Sequence, residues 1–154
     1  MLATPREVSS AREGGPVRDE VSFRGHPMVR STHATTMEVT TEGHLTEKGD
    51  CIIGVGADKG CSGISHAVRE GLQRSGAKVT IRIRVGGRTF QAAAQGDSRL
   101  ELSHPHDIVI RKSGFVSDRT LAVGASAAAK DIPRDMVRLL RSPATTGTLE
   151  IEVE

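Results

Sequence analysis

The fold is decided by the stretch Val79-Thr80-Ile81-Arg82-Ile83-Arg84-Val85-Gly86-Gly87, in which apolar and polar side chains alternate up to a pair of glycines. This alternation predicts a half-buried strand with its apolar side chains on one face. Gly86 and Gly87 can both take positive φ, so they predict a two-residue hairpin turn. Pairing across that turn sets Ile83 opposite Phe90, apolar against apolar, and the predicted register is therefore self-consistent.

Period-two patterns on both sides of this hairpin predict further strands. They are residues 21–25, 35–41, 51–57, 107–112, 120–125 and 148–153. Helical spacing instead relates Ile64 to Leu72 and Ile132 to Leu140, and Asp131 is the predicted N-cap of the second helix. The sequence therefore predicts a mainly β fold, α+β by content: an antiparallel β-sandwich-like domain with two covering helices.

An internal repeat is predicted by laying residues 50–72 over residues 118–140, a shift of 68 positions. Six identities fall at equivalent points of two strand–loop–helix units. Each half is then expected to be a hairpin followed by a helix. In the loop, the second half has Ser126 and Ala127 where the first has Asp58 and Lys59. This difference favours a functional role for Asp58 and Lys59 rather than a requirement of the turn.

Composition places the chain among single-domain globular proteins. It has 154 residues, a formal net charge of +2 and only three aromatic residues. Residues 1–20 lack apolar periodicity and predict a flexible tail, whereas residues 21–154 predict one folded β-rich domain. Two cysteines are too few for a disulfide scaffold, and no secretion signal opens the chain, so we expect a cytoplasmic protein with reduced thiols. No run of eighteen apolar residues exists to span a membrane.

The densest polar stretch runs from residue 24 to residue 38 and contains His26, His33 and Glu38. Two imidazoles and a carboxylate are the groups needed for general acid–base catalysis, and they could equally form a three-ligand metal site. A solvated outer strand face explains the same residues, and these interpretations stay open. The histidines that are candidates for a divalent metal are His26, His33, His104 and His106.

A glycine-rich loop before the first predicted helix is a second candidate region. Its sequence, GDCIIGVGADKGCSG at residues 49–63, lacks the Gly-Lys-Ser/Thr of a P-loop and the third glycine of the dinucleotide fingerprint. Backbone N–H groups at a helix start can nevertheless attract a phosphate or carboxylate, and the alternative is a plain turn. The predicted anion-binding residues are Lys59, Gly60, Ser62 and Gly63.

These two regions are expected to meet, because residues 35–41 and 51–57 are predicted to pair as a hairpin. That pairing places His33 near Asp58 and Lys59. The sequence therefore favours an enzyme that acts by acid–base chemistry on an anionic small molecule, phosphorylated or nucleotide-like. The predicted catalytic residues are His26, His33, Glu38 and Asp58, and the supporting residues are Thr35, Thr36, Asp50 and Cys51.

Two other classes of function remain as alternatives. Residues 77–119 carry eight Lys or Arg against four Asp or Glu, and this basic segment, with Arg82 and Arg84 on one strand face, could bind RNA. The scarcity of aromatic residues argues against sequence-specific RNA recognition, which relies on stacking. The other alternative is a non-catalytic structural or interaction protein.

Two long segments resemble a known family. The segments RGHPMVRSTHATTMEVTTEGHLTEKGDCIIGVGADKG and SHPHDIVIRKSGFVSDRTLAVGASAAAKDIPRDMVRLL are similar to the two signature blocks of an uncharacterised archaeal family, domain-of-unknown-function family 371. The resemblance extends over about residues 21–154. It implies a compact, mainly β sandwich-like domain in an archaeal cytoplasm, and it implies no established activity.

Overall fold

The computed structural model describes residues 15–46 and 48–154, which form eight strands and two α-helices. The strands are β1 (Val17–Arg24), β2 (Thr36–Thr40), β3 (Ile52–Gly54), β4 (Lys78–Val85), β5 (Arg88–Gln95), β6 (Asp107–Arg111), β7 (Thr120–Ala122) and β8 (Thr146–Val153). The helices α1 (His66–Leu72) and α2 (Arg134–Leu140) each follow a short 3-10 turn, at Cys61–Gly63 and Ala129–Asp131. The predicted mainly β fold with two helices is confirmed.

The first sheet contains the predicted hairpin. Its strand order is β1-β8-β4-β5, and every neighbouring pair is antiparallel. Strands β4 and β5 pair in the predicted register, with Ile83 opposite Phe90 and Ile81 opposite Ala92. Gly86 and Gly87 take φ of 56° and 79°, as the two-residue turn requires. Phe90 is only partly buried, although Ile81 and Ile83 lie fully in the core.

The second sheet corrects the predicted pairing of residues 35–41 with residues 51–57. Its strand order is β3-β2-β6-β7, and β2 pairs with β3 in parallel, not as an antiparallel hairpin. The connecting residues cross back to the beginning of β2, where the carbonyl of Asp50 accepts the N–H groups of Thr32 and His33. The end of β3 therefore lies away from His33, and the expected proximity of His33 to Asp58 and Lys59 loses its basis.

The two sheets are joined at both edges. Arg24 and Val55 exchange a pair of backbone hydrogen bonds at one edge, and Gln95 and Val123 do so at the other. The space between the sheets is filled mainly by aliphatic side chains, and Phe23 is the one fully buried aromatic residue there. Gly54 and Gly147 flank its ring so closely that a Cβ atom at either position would overlap it.

The folded domain begins earlier in the sequence than the predicted residue 21. Strand β1 begins at Val17 and pairs with β8 from its first residue, Val17 opposite Val153. Val17 packs against the core, so residues 17–20 of the predicted tail belong to the first sheet. Residues 1–14 lie outside the described residues.

The predicted N-cap of the second helix is wrong. Pro133, not Asp131, occupies the N-cap position of α2. The carboxylate of Asp131 instead accepts the N–H of Ala128 (2.9 Å) at the start of the preceding 3-10 turn. A 3-10 turn inserted before each helix moves both helix starts two residues beyond Ile64 and Ile132.

The internal repeat is present, but each half contains more elements than the predicted hairpin and helix. Each half consists of three strands, a 3-10 turn, a helix and a fourth strand, and the β4–β5 hairpin joins the two halves. Equivalent residues are 71 positions apart in the first two strands of each half and 68 apart thereafter, because the loop before β7 is three residues shorter than the loop before β3. Ser31 and Leu102, which are equivalent, both have positive φ (54° and 53°).

Two arginines from non-equivalent helix positions bind equivalent carbonyl groups. Arg69 donates to the carbonyls of Leu102 (2.9 Å) and Cys61 (3.3 Å). Arg134 donates to the corresponding carbonyls of Ser31 (2.8 Å) and Ala129 (3.3 Å). Each guanidinium thus connects the positive-φ residue before one strand to the 3-10 turn beside it.

Candidate functional site

The candidate site is a polar cluster on the outer face of the second sheet. Alternation along β2 sends Met37 and Val39 into the core and leaves Thr36, Glu38 and Thr40 on the opposite face. Alternation along β6 does the same for Asp107 and Arg111. We use the term outer-face cluster for Thr36, Glu38, Cys51, Asp107, Arg111 and Arg119.

Glu38 lies at the centre of the outer-face cluster and is 9% exposed. Burial, together with the negative charge of Asp107, raises its pKa to about 7. The thiol of Cys51 donates a hydrogen bond to Oε1 of Glu38 (3.4 Å). A carboxyl group with this pKa exchanges its proton near neutral pH, which is the property required of a general acid or base.

Cys51 is not suited to act as a nucleophile. Burial raises the pKa of its thiol to about 12, and the neighbouring charge of Glu38 acts in the same direction. The thiolate, not the thiol, is the reactive species. The thiol therefore serves as a hydrogen-bond donor to the carboxyl group.

Asp107 and Arg119 form an ion pair beside Glu38. The guanidinium of Arg119 donates to Oδ2 of Asp107 (2.8 Å), and the side chain of Arg119 is 44% exposed. Nε2 of His104 lies 3.8 Å from the same carboxylate oxygen. The positive charge of Arg119 also opposes the rise in the pKa of Glu38.

Arg111 supplies a second guanidinium, which, unlike that of Arg119, forms no salt bridge among residues 15–46 and 48–154, although the charge of Glu38 acts on it favourably. It donates to the hydroxyls of Thr120 (2.8 Å) and Ser117 (3.2 Å), both neutral groups. Burial and the charge of Arg119 lower the pKa of Arg111. Two cations held near each other in this way favour a bound anion, which would relieve their repulsion.

The predicted histidines hold turns together. Nδ1 of His33 accepts the N–H groups of Thr35 (3.1 Å) and Thr36 (3.2 Å), and it lies 3.1 Å from the Thr36 hydroxyl. Nδ1 of the equivalent His104 accepts the N–H groups of His106 (3.1 Å) and Asp107 (2.9 Å). Both rings therefore accept backbone N–H groups at Nδ1, at the points where β2 and β6 begin.

His26 and His106 lie in other surroundings. Nδ1 of His26 accepts the N–H of Met28 (3.0 Å), while its backbone N–H donates to Leu140 at the end of α2. The Nδ1 atom of His106 lies 2.6 Å from the hydroxyl of Thr41. In the described part of the chain no three His, Cys, Asp or Glu side chains are arranged to hold a metal ion.

The glycine-rich loop faces β1 and not His33. Lys59 forms an ion pair with Asp19 (3.0 Å), whose other oxygen accepts the N–H of Ser65. Asp58 accepts the N–H of Ser22 (3.1 Å). In the second half, the hydroxyl of Ser126 binds the equivalent N–H, that of Ala93 (3.0 Å). Asp58 therefore has the same structural partner as its counterpart, which explains why Ser can replace it there.

The backbone of this loop packs against the segment that carries His104. Ser62 donates its N–H to the carbonyl of His104 (3.0 Å), and Gly63 donates to the carbonyl of Gly60 (3.0 Å). A side chain at Gly60 would meet the carbonyl of Pro105 at 2.5 Å, so this close approach accounts for the glycine. The anion-binding role of residues 59–63 remains a prediction, with these N–H groups already engaged.

The residues of the predicted site thus lie in separate places, and only some of them belong to the outer-face cluster or contact it. The structure brings together His33, Thr35, Thr36, Glu38, Asp50 and Cys51, through the hydrogen bonds described above and the contact of Thr36 with Cys51. It adds Asp107, Arg111 and Arg119, which sequence reasoning did not select. Asp107 and Arg111 could have been found from the sequence, because the alternation of residues 107–111 places both charged groups on one strand face.

The basic strand face proposed for RNA is neutralised by carboxylates. Arg82 contacts Glu152 (2.8 Å) and Glu150 (3.3 Å), and Arg84 contacts Glu150 (2.7 Å). These ion pairs offset the positive charge of both guanidinium groups on this strand face. None of the helices in the described ranges is long and apolar enough to cross a membrane.

Comparison with known proteins agrees with the resemblance seen in the sequence. The chain is 41% identical over 121 residues to an uncharacterized protein of Methanocaldococcus jannaschii, an alignment that covers 79% of this chain and 89% of that protein. The model of a family described as a domain of unknown function, DUF371, matches residues 21–154. The chain accordingly belongs to the DUF371 family.

Proposed function

We propose that this protein is an enzyme that acts on a small anionic substrate, with Glu38 as the group that transfers a proton. The observation that carries the proposal is the position of Glu38: a buried carboxyl group with a pKa of about 7 beside two arginines on the outer face of the second sheet. Purely structural carboxylates are instead usually ionised and paired.

Arg111 and Arg119 are the residues that would bind the anion. Among the described residues Arg111 donates hydrogen bonds only to hydroxyl groups, and Arg119, although paired with Asp107, has a side chain that is 44% exposed. Guanidinium groups bind carboxylate and phosphate through paired N–H donors. An anion held there would lie on the same sheet face as Glu38, because β2 and β6 are adjacent strands.

Asp107 and Cys51 would adjust the proton on Glu38. The negative charge of Asp107 opposes the ionisation of Glu38. The thiol of Cys51 donates to Glu38, which favours the charged form. Binding of an anion at the arginines would further favour a protonated Glu38, which could then act as an acid towards the substrate.

The proposal is tested with a panel of small phosphorylated and carboxylated metabolites, measuring binding by calorimetry and conversion by mass spectrometry. The Arg111→Gln, Arg119→Gln double variant should lose binding. Arg138→Gln is the matched control, because Arg138 is exposed on α2. Glu38→Gln should retain binding and lose conversion by about 10²- to 10⁴-fold. The proposal fails if the double variant binds every panel member as well as the wild type does.

A further inference from the structure

Phe115 is an exposed aromatic ring at the edge of the outer-face cluster. The protein has three aromatic residues; Phe23 is buried, Phe90 is partly buried, and Phe115 is 60% exposed. One of these few aromatic residues is thus exposed to solvent next to Arg111, one of the two arginines proposed to bind an anion.

The loop that carries Phe115 is held at several points. The carbonyl of Ser113 accepts the N–H of Gly124 (3.2 Å), and its hydroxyl accepts the N–H of Phe115 (3.2 Å). Arg99, itself paired with Asp97, donates to the carbonyl of Gly114 (3.2 Å). These bonds hold the backbone of residues 113–115, so Phe115 projects from an ordered segment and less backbone ordering is needed when a ligand binds.

The ring also lies over a guanidinium. Cζ of Arg111 is 4.9 Å from the centroid of the Phe115 ring, which is the geometry of a cation–π contact. Arg111 in turn is anchored to the hydroxyls of Thr120 and Ser117. The guanidinium thus connects the aromatic ring to the charged part of the cluster, while the ring keeps a solvent-facing side.

We propose that the substrate is of the nucleoside monophosphate class, with its base stacked on Phe115 and its phosphate at Arg111 and Arg119. This inference rests on the proposed function and names the substrate class of the same site. An exposed ring on a hydrogen-bonded segment offers a π-face to any base, while two neighbouring guanidinium groups bind a phosphate. A base and a phosphate in one small molecule match the side-by-side arrangement of ring and cations.

The experiment compares three probes by calorimetry: adenosine monophosphate, ribose 5-phosphate, which lacks the base, and adenosine, which lacks the phosphate. Wild-type protein should bind the nucleotide about 10- to 100-fold more tightly than ribose 5-phosphate, as expected for one stacked base. Phe115→Ala should remove that advantage and change the affinity for ribose 5-phosphate much less, because Arg111 keeps its hydrogen bonds to Thr120 and Ser117. Phe115→Trp should preserve it.

Two control variants separate the possible failures. Met28→Ala removes another exposed apolar side chain, 38% exposed, and should change none of the affinities. Arg119→Gln should weaken the nucleotide and ribose 5-phosphate alike. If the two phosphates bind equally well to wild type and to Phe115→Ala, the stacking inference is overturned while the anion site stands. If neither phosphate binds, this inference and the anion site both fall.

Discussion

Replacing Glu38 by Gln tests the central physical claim about the site, that a carboxyl group is buried where its charge is unfavourable. The pKa of Glu38 is raised from 4.5 to about 7 in the folded protein. The folded state therefore holds a proton that the unfolded chain releases between these two values. This contribution to the free energy of unfolding is fully present below pH 4.5 and is lost as the pH rises through 7.

The expected size follows from the two pKa values. At about 1.4 kcal/mol for each pH unit, the difference between 4.5 and about 7 corresponds to about 3 kcal/mol. Gln has nearly the same shape as the protonated carboxyl group and does not titrate. We therefore expect Glu38→Gln to match the wild type near pH 4 and to exceed its free energy of unfolding by up to about 3 kcal/mol at pH 9.

Urea denaturation at intervals from pH 4 to pH 9 measures this difference. Far-ultraviolet circular dichroism is the appropriate signal, because the protein has no Trp or Tyr. Glu101→Gln is the control: Glu101 is exposed, so its variant should follow the wild-type curve. The reasoning is refuted if the curves for Glu38→Gln and wild type stay parallel across the whole range.

Three further predictions concern stability and reactivity. Arg69→Ala should lower the free energy of unfolding by about 1.5–3 kcal/mol, because Arg69 donates to the carbonyls of two separate segments; denaturation of Arg138→Ala, at an exposed position, should show a change within about 0.5 kcal/mol. Phe23→Ala should cost about 3–5 kcal/mol in the same assay, whereas Phe90→Ala should cost less because Phe90 is only partly buried; equal losses would contradict this. With a pKa raised to about 12, Cys51 should react with a thiol reagent at pH 8 on the order of 10³-fold more slowly in the folded than in the unfolded protein, as measured by peptide mass mapping.

Local sequence patterns were sufficient to predict that the chain forms these strands and two helices, and to predict the hairpin of β4 and β5. The alternation of residues 79–85 and the two glycines after them define strand, turn and register within a single continuous stretch, so no distant contact was needed. The direction in which β3 pairs with β2, in contrast, depends on contacts between residues distant in sequence. A connection of this length permits either direction of pairing, and in the parallel arrangement β3 leads into Val55, which pairs with Arg24 of the first sheet.

The candidate site could be predicted only in part for the same reason. Thr36 and Glu38 lie on β2 and Cys51 directly precedes β3, so all three were selected from segments close in sequence. Asp107 and Arg119 reach the cluster only because β6 pairs with β2 and β7 with β6. Lys59 was predicted to bind an anion because it lies beside glycines in a loop. Its ion pair with Asp19 could not be predicted, because it depends on where β1 lies in the fold.

The repeat separates the residues that build the fold from those that form the proposed site. Features common to both halves are structural: the positive φ at Ser31 and Leu102, and the turn-holding rings of His33 and His104. The outer face of the second sheet, in contrast, differs at every position that we assign a function.

The strand registers define these differences. Val109 stands where the first half has Glu38, and Arg119 stands where it has Cys51. One half therefore supplies the carboxyl group that carries the proton, and the other supplies the guanidinium that would bind the anion. Because the two strands that carry Glu38 and Arg111 are adjacent at the centre of this sheet, the differences fall on a single surface. A duplicated scaffold with matching structural residues and diverged central residues is the pattern expected if selection acts on one composite site that needs both halves.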